Sequence, residues 1–191
     1  PVSSDSSIDY YGNWKSLHYA VRRAFEQKLV SGYVGEGNLD VYIVTDALKP
    51  EKGTLAVEVM TMDGRLISSV KKKVSVPANS SAMVYRESIE KLLGGTLPED
   101  AYARFIFIDA EGHKHVNMRF FSNQKDVRFM KPDIRWEVTD KGDCKEVRIV
   151  SDVFARAVYL SVKDSDILHF SENFFDLYPG EEYVVTVVTD I

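Results

Sequence analysis

From Leu39 onward the apolar residues of this chain recur at every second position. The runs lie at 39–45, 54–62, 65–76, 82–88, 102–109 and 114–121, and again at 134–139, 145–150, 155–162, 167–170 and 182–189. A period of two sends successive side chains to opposite faces, so each run reads as a strand with one face to bury. Asp63-Gly64, between Val57-Glu58-Val59 and Leu66-Ile67, is a strong hairpin signal, and Glu111-Gly112, between Phe105-Ile106-Phe107 and Val116, is a second. Glycine reaches positive φ without steric cost, which is what such tight turns require. Sequential antiparallel pairing is therefore expected, with Ser88–Gly95 closing as a single helical turn.

Gln124-Lys125-Asp126 and Lys131-Pro132-Asp133 bracket a polar connection, which places a domain boundary near 127. Beyond it, five short strands at spacings of about ten, separated by Gly142, Asp164-Ser165-Asp166 and Pro179-Gly180, suit a small antiparallel sandwich. Five strands fall short of about seven, so an edge strand beyond Ile191 is expected.

Only residues 9–27 show the helical period. Trp14, Leu17, His18, Val21 and Phe25 form one apolar stripe beside Lys15, Arg22, Arg23 and Glu26, with Asp9 as N-cap and Gly32, Gly35 and Gly37 ending the pattern. The stripe needs a cover. With only a short linker at 32–37, docking on the adjoining sandwich, 34–127, is the expectation.

Composition removes several function classes. A net charge of −5 opposes a phosphate-backbone surface, so no nucleic-acid partner is expected. The acidity concentrates in 128–191, where eight Lys/Arg face thirteen Asp/Glu. No uncharged apolar run reaches about 18 residues, so no membrane-spanning helix is expected. The single cysteine, Cys144, forms no internal disulfide and is read as a small strand residue. The chain opens on Pro1 rather than Met, with no apolar leader before Ile8, and so reads as a piece of a longer protein.

Catalytic signatures are missing: G-x-S-x-G, H-E-x-x-H, the P-loop and the dinucleotide glycine fingerprint do not occur. His113 and His115, at i and i+2 of a strand, share a face and are the best metal candidates. No third ligand is identifiable, so the pair is read as a solvated hairpin arm. Asp164 and Asp166 resemble the start of a calcium loop without its Gly and distal Glu and are read as a turn. Lys71-Lys72-Lys73 suits a protected edge strand, and Asn79-Ser80-Ser81 is a chance glycosylation triplet. Trp136, Tyr33, Tyr42 and Tyr102 could stack on sugars but are read as core. No catalytic, cofactor-binding or metal residue is assigned.

Two segments carry a resemblance. Pro1-Val2-Ser3-Ser4 followed by Ser7-Ile8-Asp9-Tyr10-Tyr11-Gly12-Asn13-Trp14-Lys15-Ser16-Leu17-His18-Tyr19 resembles the end of the catalytic barrel in β-mannosidases of glycoside hydrolase family 2. Phe170-Ser171-Glu172-Asn173-Phe174-Phe175-Asp176-Leu177-Tyr178-Pro179-Gly180-Glu181 is similar to that family's terminal immunoglobulin-like domain. Residues 34–127 match its intermediate sandwich in order and size. The resemblance implies a mainly β fold, with two tandem immunoglobulin-like β-sandwiches, 34–127 and 128–191, after a barrel end with one amphipathic helix at 1–33. It implies a parent enzyme that releases terminal non-reducing β-D-mannose with retention, through two glutamates about 5 Å apart. Both belong to earlier barrel strands, and adjacent Glu181-Glu182 on a strand would point to opposite faces and could not flank one bond. The implied partners are the catalytic barrel of the same polypeptide and mannose-containing glycans. The implied compartment is periplasmic for a bacterial parent and lysosomal for an animal one. The rival readings are a carbohydrate-binding module and a tandem immunoglobulin-like interaction protein.

Overall fold

The computed structural model describes residues 6–163 and 169–188, with the side chain of residue 169 left out. The chain divides into two compact units, one of residues 26–129 and one formed by the N-terminal segment to Phe25 together with the chain from Met130.

In the first unit, β1 (Lys28–Gly35), β2 (Asn38–Thr45) and β5 (Ser80–Ser88) form one sheet. β3 (Glu51–Thr61), β4 (Leu66–Val76), β6 (Ala101–Asp109) and β7 (Lys114–Phe120) form another, in the order β4-β3-β6-β7. Every pairing is antiparallel. The hairpins at Gly64 and Gly112 are present, with φ of 86° and 90°. Strictly sequential pairing is not: β5 pairs with β2 and β6 with β3. Two sheets that must cover each other's apolar faces send consecutive strands to opposite layers, a demand that local turn chemistry does not register. Ile89–Leu93 forms α2, capped by the Ser88 hydroxyl and closed by Gly94 in the left-handed region, as expected for 88–95.

β1 is absent from the sequence reading, which took Gly32 and Gly35 as breaks. Gly32 is a packing requirement: a Cβ there would lie 2.3 Å from Phe105 Cε2. The core comprises Val30, Leu39, Val41, Ile43, Leu55, Val57, Phe105 and Phe107, each no more than 2% exposed. At one open side, Asn117 Nδ2 and Arg119 Nε of β7 donate to the Val30 and Gly32 carbonyls of β1 at 3.0 and 2.8 Å. At the other, Lys72 Nζ of edge strand β4 donates to the Val84 carbonyl of β5 at 3.0 Å. Polar side chains thus seal the sandwich where backbone pairing stops.

Across β2 and β5, Arg86 grips Asp40 through two bonds of 2.6 Å. The guanidinium holds the buried Asp40 carboxyl below its ordinary value, against the upward push of burial. A depressed carboxyl stabilises the fold at pH values above its unfolded pKa, about 3.9, and that contribution is lost as pH falls through the lower folded value. Asp40→Asn is therefore expected to destabilise residues 26–129 at pH 7. The gap to the parent should shrink below pH 4, in urea unfolding measured from pH 2 to 7. A gap of constant size across that range would refute the assignment.

In the second unit, β8 (Ile134–Asp140), β9 (Cys144–Ser151), β11 (His169–Phe170) and β13 (Tyr183–Val188) form a sheet in the order β11-β13-β9-β8. It is complemented by the pair β10 (Ala155–Val158) and β12 (Phe175–Leu177). The run read as 155–162 stops at Val158, and β12 lies inside the motif Phe170–Glu181, so the described residues hold six strands where the sequence showed five. The core is Ile149, Ala155, Phe170, Phe175, Leu177, Val185 and Val187.

The helix α1 spans Ser16–Ala24, shorter than the 9–27 pattern. Asp9 does not cap it. Its Oδ1 accepts the backbone N–H groups of Tyr11 and Asn13, fixing a turn one step earlier, and Lys15 holds the N-cap position without a side-chain bond. α1 packs on the terminal sandwich, within its own unit, where the apolar stripe and the short linker had pointed to the sandwich 34–127. Tyr19, 2% exposed, is the buried residue, while Leu17, Val21 and Phe25 are 50%, 39% and 84% exposed. Apolar area and linker length do not decide which face is buried; the polar face of the helix does.

Candidate functional site

Ser171, Asn173 and Phe174 present backbone carbonyls to α1. Arg22 Nη2 donates to the Ser171 carbonyl at 2.6 Å and to Glu172. Arg23 reaches both Glu172 oxygens at 3.1 and 3.2 Å and the carbonyls of Asn173 and Phe174 at 3.2 and 3.3 Å. Tyr19 packs against Trp14 and Phe174 at centroid separations of 5.3 and 6.0 Å. Residues 19, 22 and 23 share one helix face by their i, i+3, i+4 spacing, with Leu17 and Val21 turned away. Asn173, 3% exposed, completes the receiving bend, because its Oδ1 accepts from Leu160 N–H and its Nδ2 donates to the Leu160 carbonyl. The two segments that carry the sequence resemblance therefore meet in one structural element. The row Leu17, Val21 and Phe25 is left facing outward.

The second cluster sits at the β6–β7 hairpin. Asp109 closes β6, and its Oδ1 accepts the backbone N–H groups of Glu111 and His113 at 3.0 and 2.9 Å. Its Oδ2 meets Lys28 Nζ at 2.8 Å, His113 Nδ1 at 3.4 Å and His115 Nε2 at 3.5 Å. Glu111 Oε2 lies 3.3 Å from His113 Nδ1, and Glu51 lies 3.3 Å from Lys28 Nζ. Burial alone would raise the Asp109 carboxyl. The Lys28 ammonium, the backbone amides and the His115 ring outweigh it and hold the group well below the carboxylate range. Lys28 is correspondingly raised by the bond to Asp109. The histidine pair chosen from sequence thus converges on one carboxylate. The residues that complete the cluster, Asp109, Glu111, Lys28 and Glu51, were missed because two of them lie on other strands. Glu111 was visible only as a turn residue and Asp109 only as the end of the strand run 102–109.

The four aromatics are divided between the two units and differ in exposure. Tyr102 is fully buried, Tyr33 is 60% exposed, and Trp136 is 70% exposed on the edge strand β8 of the other unit. Reading Trp136 and Tyr33 as core is corrected: β8 is the edge strand of its sheet, and the Tyr33 ring lies over Gly35. Lys71, Lys72 and Lys73 lie exposed on edge strand β4. Asp164 and Asp166 fall outside the described residues. Glu181 and Glu182 precede β13 rather than lying in it, and Glu182 pairs with Arg148 at 2.9 Å.

Compared with known proteins, residues 37–126 match the Mannosidase Ig/CBM-like domain and residues 129–190 an Ig-fold domain of the mannosidases. Beta-mannosidase A of Aspergillus niger is 27% identical across 97% of this chain, and the Mus musculus beta-mannosidase 29% identical across 89%. The chain spans only 22% and 20% of those proteins. The crystal structure of Beta-D-Mannosidase from Dictyoglomus thermophilum shares its fold with a TM-score of 0.82 at 23% identity, over 97% of this chain and 22% of that one. The exo-chitosanase CsxA of Amycolatopsis orientalis is also similar in fold, with a TM-score of 0.67 at 16% identity, over 95% of this chain and 26% of that one.

Proposed function

Because the chain carries the Ig/CBM-like and Ig-fold domains of the β-mannosidases, we propose that it is a non-catalytic accessory part of a longer polypeptide that hydrolyses terminal non-reducing β-D-mannosyl residues. In this reading the segment ahead of β1 is the end of the catalytic barrel. The observation that carries it is the division of labour on α1. Its Tyr19, Arg22 and Arg23 face is consumed by the terminal sandwich, and Leu17, Val21 and Phe25 stay uncovered. Three outward apolar side chains in a row along one short helix and its C-cap suit burial against a further part of the same polypeptide. The terminal sandwich then acts as the mount for that junction.

Retaining hydrolysis needs an acid/base and a nucleophile about 5 Å apart. The chain alone should therefore leave an aryl β-mannoside intact. Release of aryl alcohol above the buffer rate, co-eluting with the chain through two chromatographic steps, would refute the proposal. A second reading, glycan capture, draws on the exposed indole of Trp136, which an aromatic-stacking sugar could cover. Titration with mannobiose decides between them. Unchanged tryptophan fluorescence supports the accessory reading, and a saturable response lost in Trp136→Ala supports capture.

A further inference from the structure

We propose that the β6–β7 hairpin is a divalent metal site of the zinc class, with Asp109 Oδ2, Glu111 Oε2 and His113 Nδ1 as protein ligands and water completing the shell. These three ligand atoms all lie within 4.8 Å of one another. Zinc bonds of about 2.0–2.1 Å to nitrogen and oxygen place tetrahedral ligands about 3.3–3.4 Å apart. His113 Nδ1 stands 3.3 Å from Glu111 Oε2 and 3.4 Å from Asp109 Oδ2, so two edges of such a shell are already at length.

Three further observations favour a cation there. First, the Asp109 carboxylate is aimed: two backbone N–H groups occupy Oδ1 and leave Oδ2 to Lys28 Nζ at 2.8 Å and to the imidazoles of His113 and His115 at 3.4 and 3.5 Å. That is the kind of outer support that fixes a ligating carboxylate. Second, His115 Nε2 is buried and stands 3.5 Å from Asp109 Oδ2 without a regular hydrogen bond, so a second imidazole nitrogen faces the inner side of the cluster. Third, the charge is unbalanced. With neutral imidazoles, Asp109, Glu111 and Glu51 supply three negative charges against the single ammonium of Lys28, and a dication would neutralise the remainder. Lys28 need not leave, because Glu51 lies 3.3 Å from it and can hold it while Asp109 Oδ2 turns to the metal. The imidazole selects a borderline transition ion over calcium or magnesium, which prefer all-oxygen shells.

The test is calorimetric titration of the 191-residue chain with Zn²⁺ in a non-coordinating buffer, alongside visible absorption with Co²⁺. One equivalent should bind, and Co²⁺ should develop ligand-field bands that Zn²⁺ bleaches and Ca²⁺ does not. His113 and Glu111 side chains are 68% and 69% exposed, so His113→Gln and Glu111→Gln should leave the circular dichroism spectrum unchanged. Each should lower Zn²⁺ affinity by at least tenfold, since loss of even an outer-shell partner costs about 10–100-fold. His18→Gln is the control. That imidazole is held by Ser7 Oγ at 2.9 Å, away from the hairpin, and its removal should change nothing. Absence of saturable binding, affinity indifferent to both hairpin variants, loss in the His18 variant, or displacement of Zn²⁺ by Ca²⁺ would each overturn the proposal.

Discussion

Replacing Phe105 by alanine is expected to destabilise residues 26–129 by about 3–5 kcal/mol, the cost of emptying a fully buried aromatic site. Phe105 is 0% exposed on β6, paired to Val57 of β3 and Asn117 of β7, and its ring lies over Gly32 of the opposite sheet. For a domain near 100 residues, about 4–8 °C is lost per kcal/mol, so the midpoint should fall by roughly 12 °C or more. Thermal unfolding by circular dichroism measures the size of the effect, and peptide-resolved hydrogen exchange assigns it to β3 and β6. Gly32→Ala tests the other half of the contact. Its new Cβ would lie 2.3 and 2.4 Å from two ring atoms, an overpacking that costs about 1–3 kcal/mol. In the Phe105→Ala background the methyl has room, and that cost should vanish. An equal cost in both backgrounds would show that the ring is not what demands glycine at 32.

The second large effect concerns α1. Tyr19→Ala removes a buried ring that donates its hydroxyl to the Phe170 carbonyl at 3.4 Å and packs on Trp14 and Phe174. Nine residues of helix are marginal in water without tertiary support. Amide protection across 16–24 should therefore fall to the level of an unstructured peptide, while protection within β3 and β6 is unchanged. Leu17→Ser and Phe25→Ser, at 50% and 84% exposure, should shift stability by no more than about 0.5 kcal/mol. The opposite ranking, with the stripe variants melting the helix and Tyr19→Ala sparing it, would restore the docking face inferred from hydrophobic periodicity.

Legibility followed the range of the interactions. The hairpins at Gly64 and Gly112, the turn at 88–95 and most strand positions could be read because φ preference and side-chain alternation act within a few residues. Strand β1 could not be read. Gly32 looks like a breaker until Phe105, 73 positions away, is seen to need the space. β12 was hidden for a similar reason, since three residues give too few alternations to register as a period. At the hairpin cluster, His113 and His115 were recognisable as a same-face pair. Their convergence on Asp109 depended on the turn folding back, and Lys28 and Glu51 arrive from separate strands.

The sequence by itself determined the strand-rich character of the chain, the amphipathic segment near its start and the kinship carried by the motifs at 7–19 and 170–181. Each of these is written in local order, where period, turn chemistry and residue identity suffice. Only the tertiary structure decided which face of α1 is buried. An apolar stripe states that area should be covered, but it does not name the surface that covers it. Two guanidinium groups facing the carbonyls of residues 171, 173 and 174 and the Glu172 carboxylate form directional bonds. Such bonds require acceptors at fixed positions about 150 residues away, and only the folded chain supplies them.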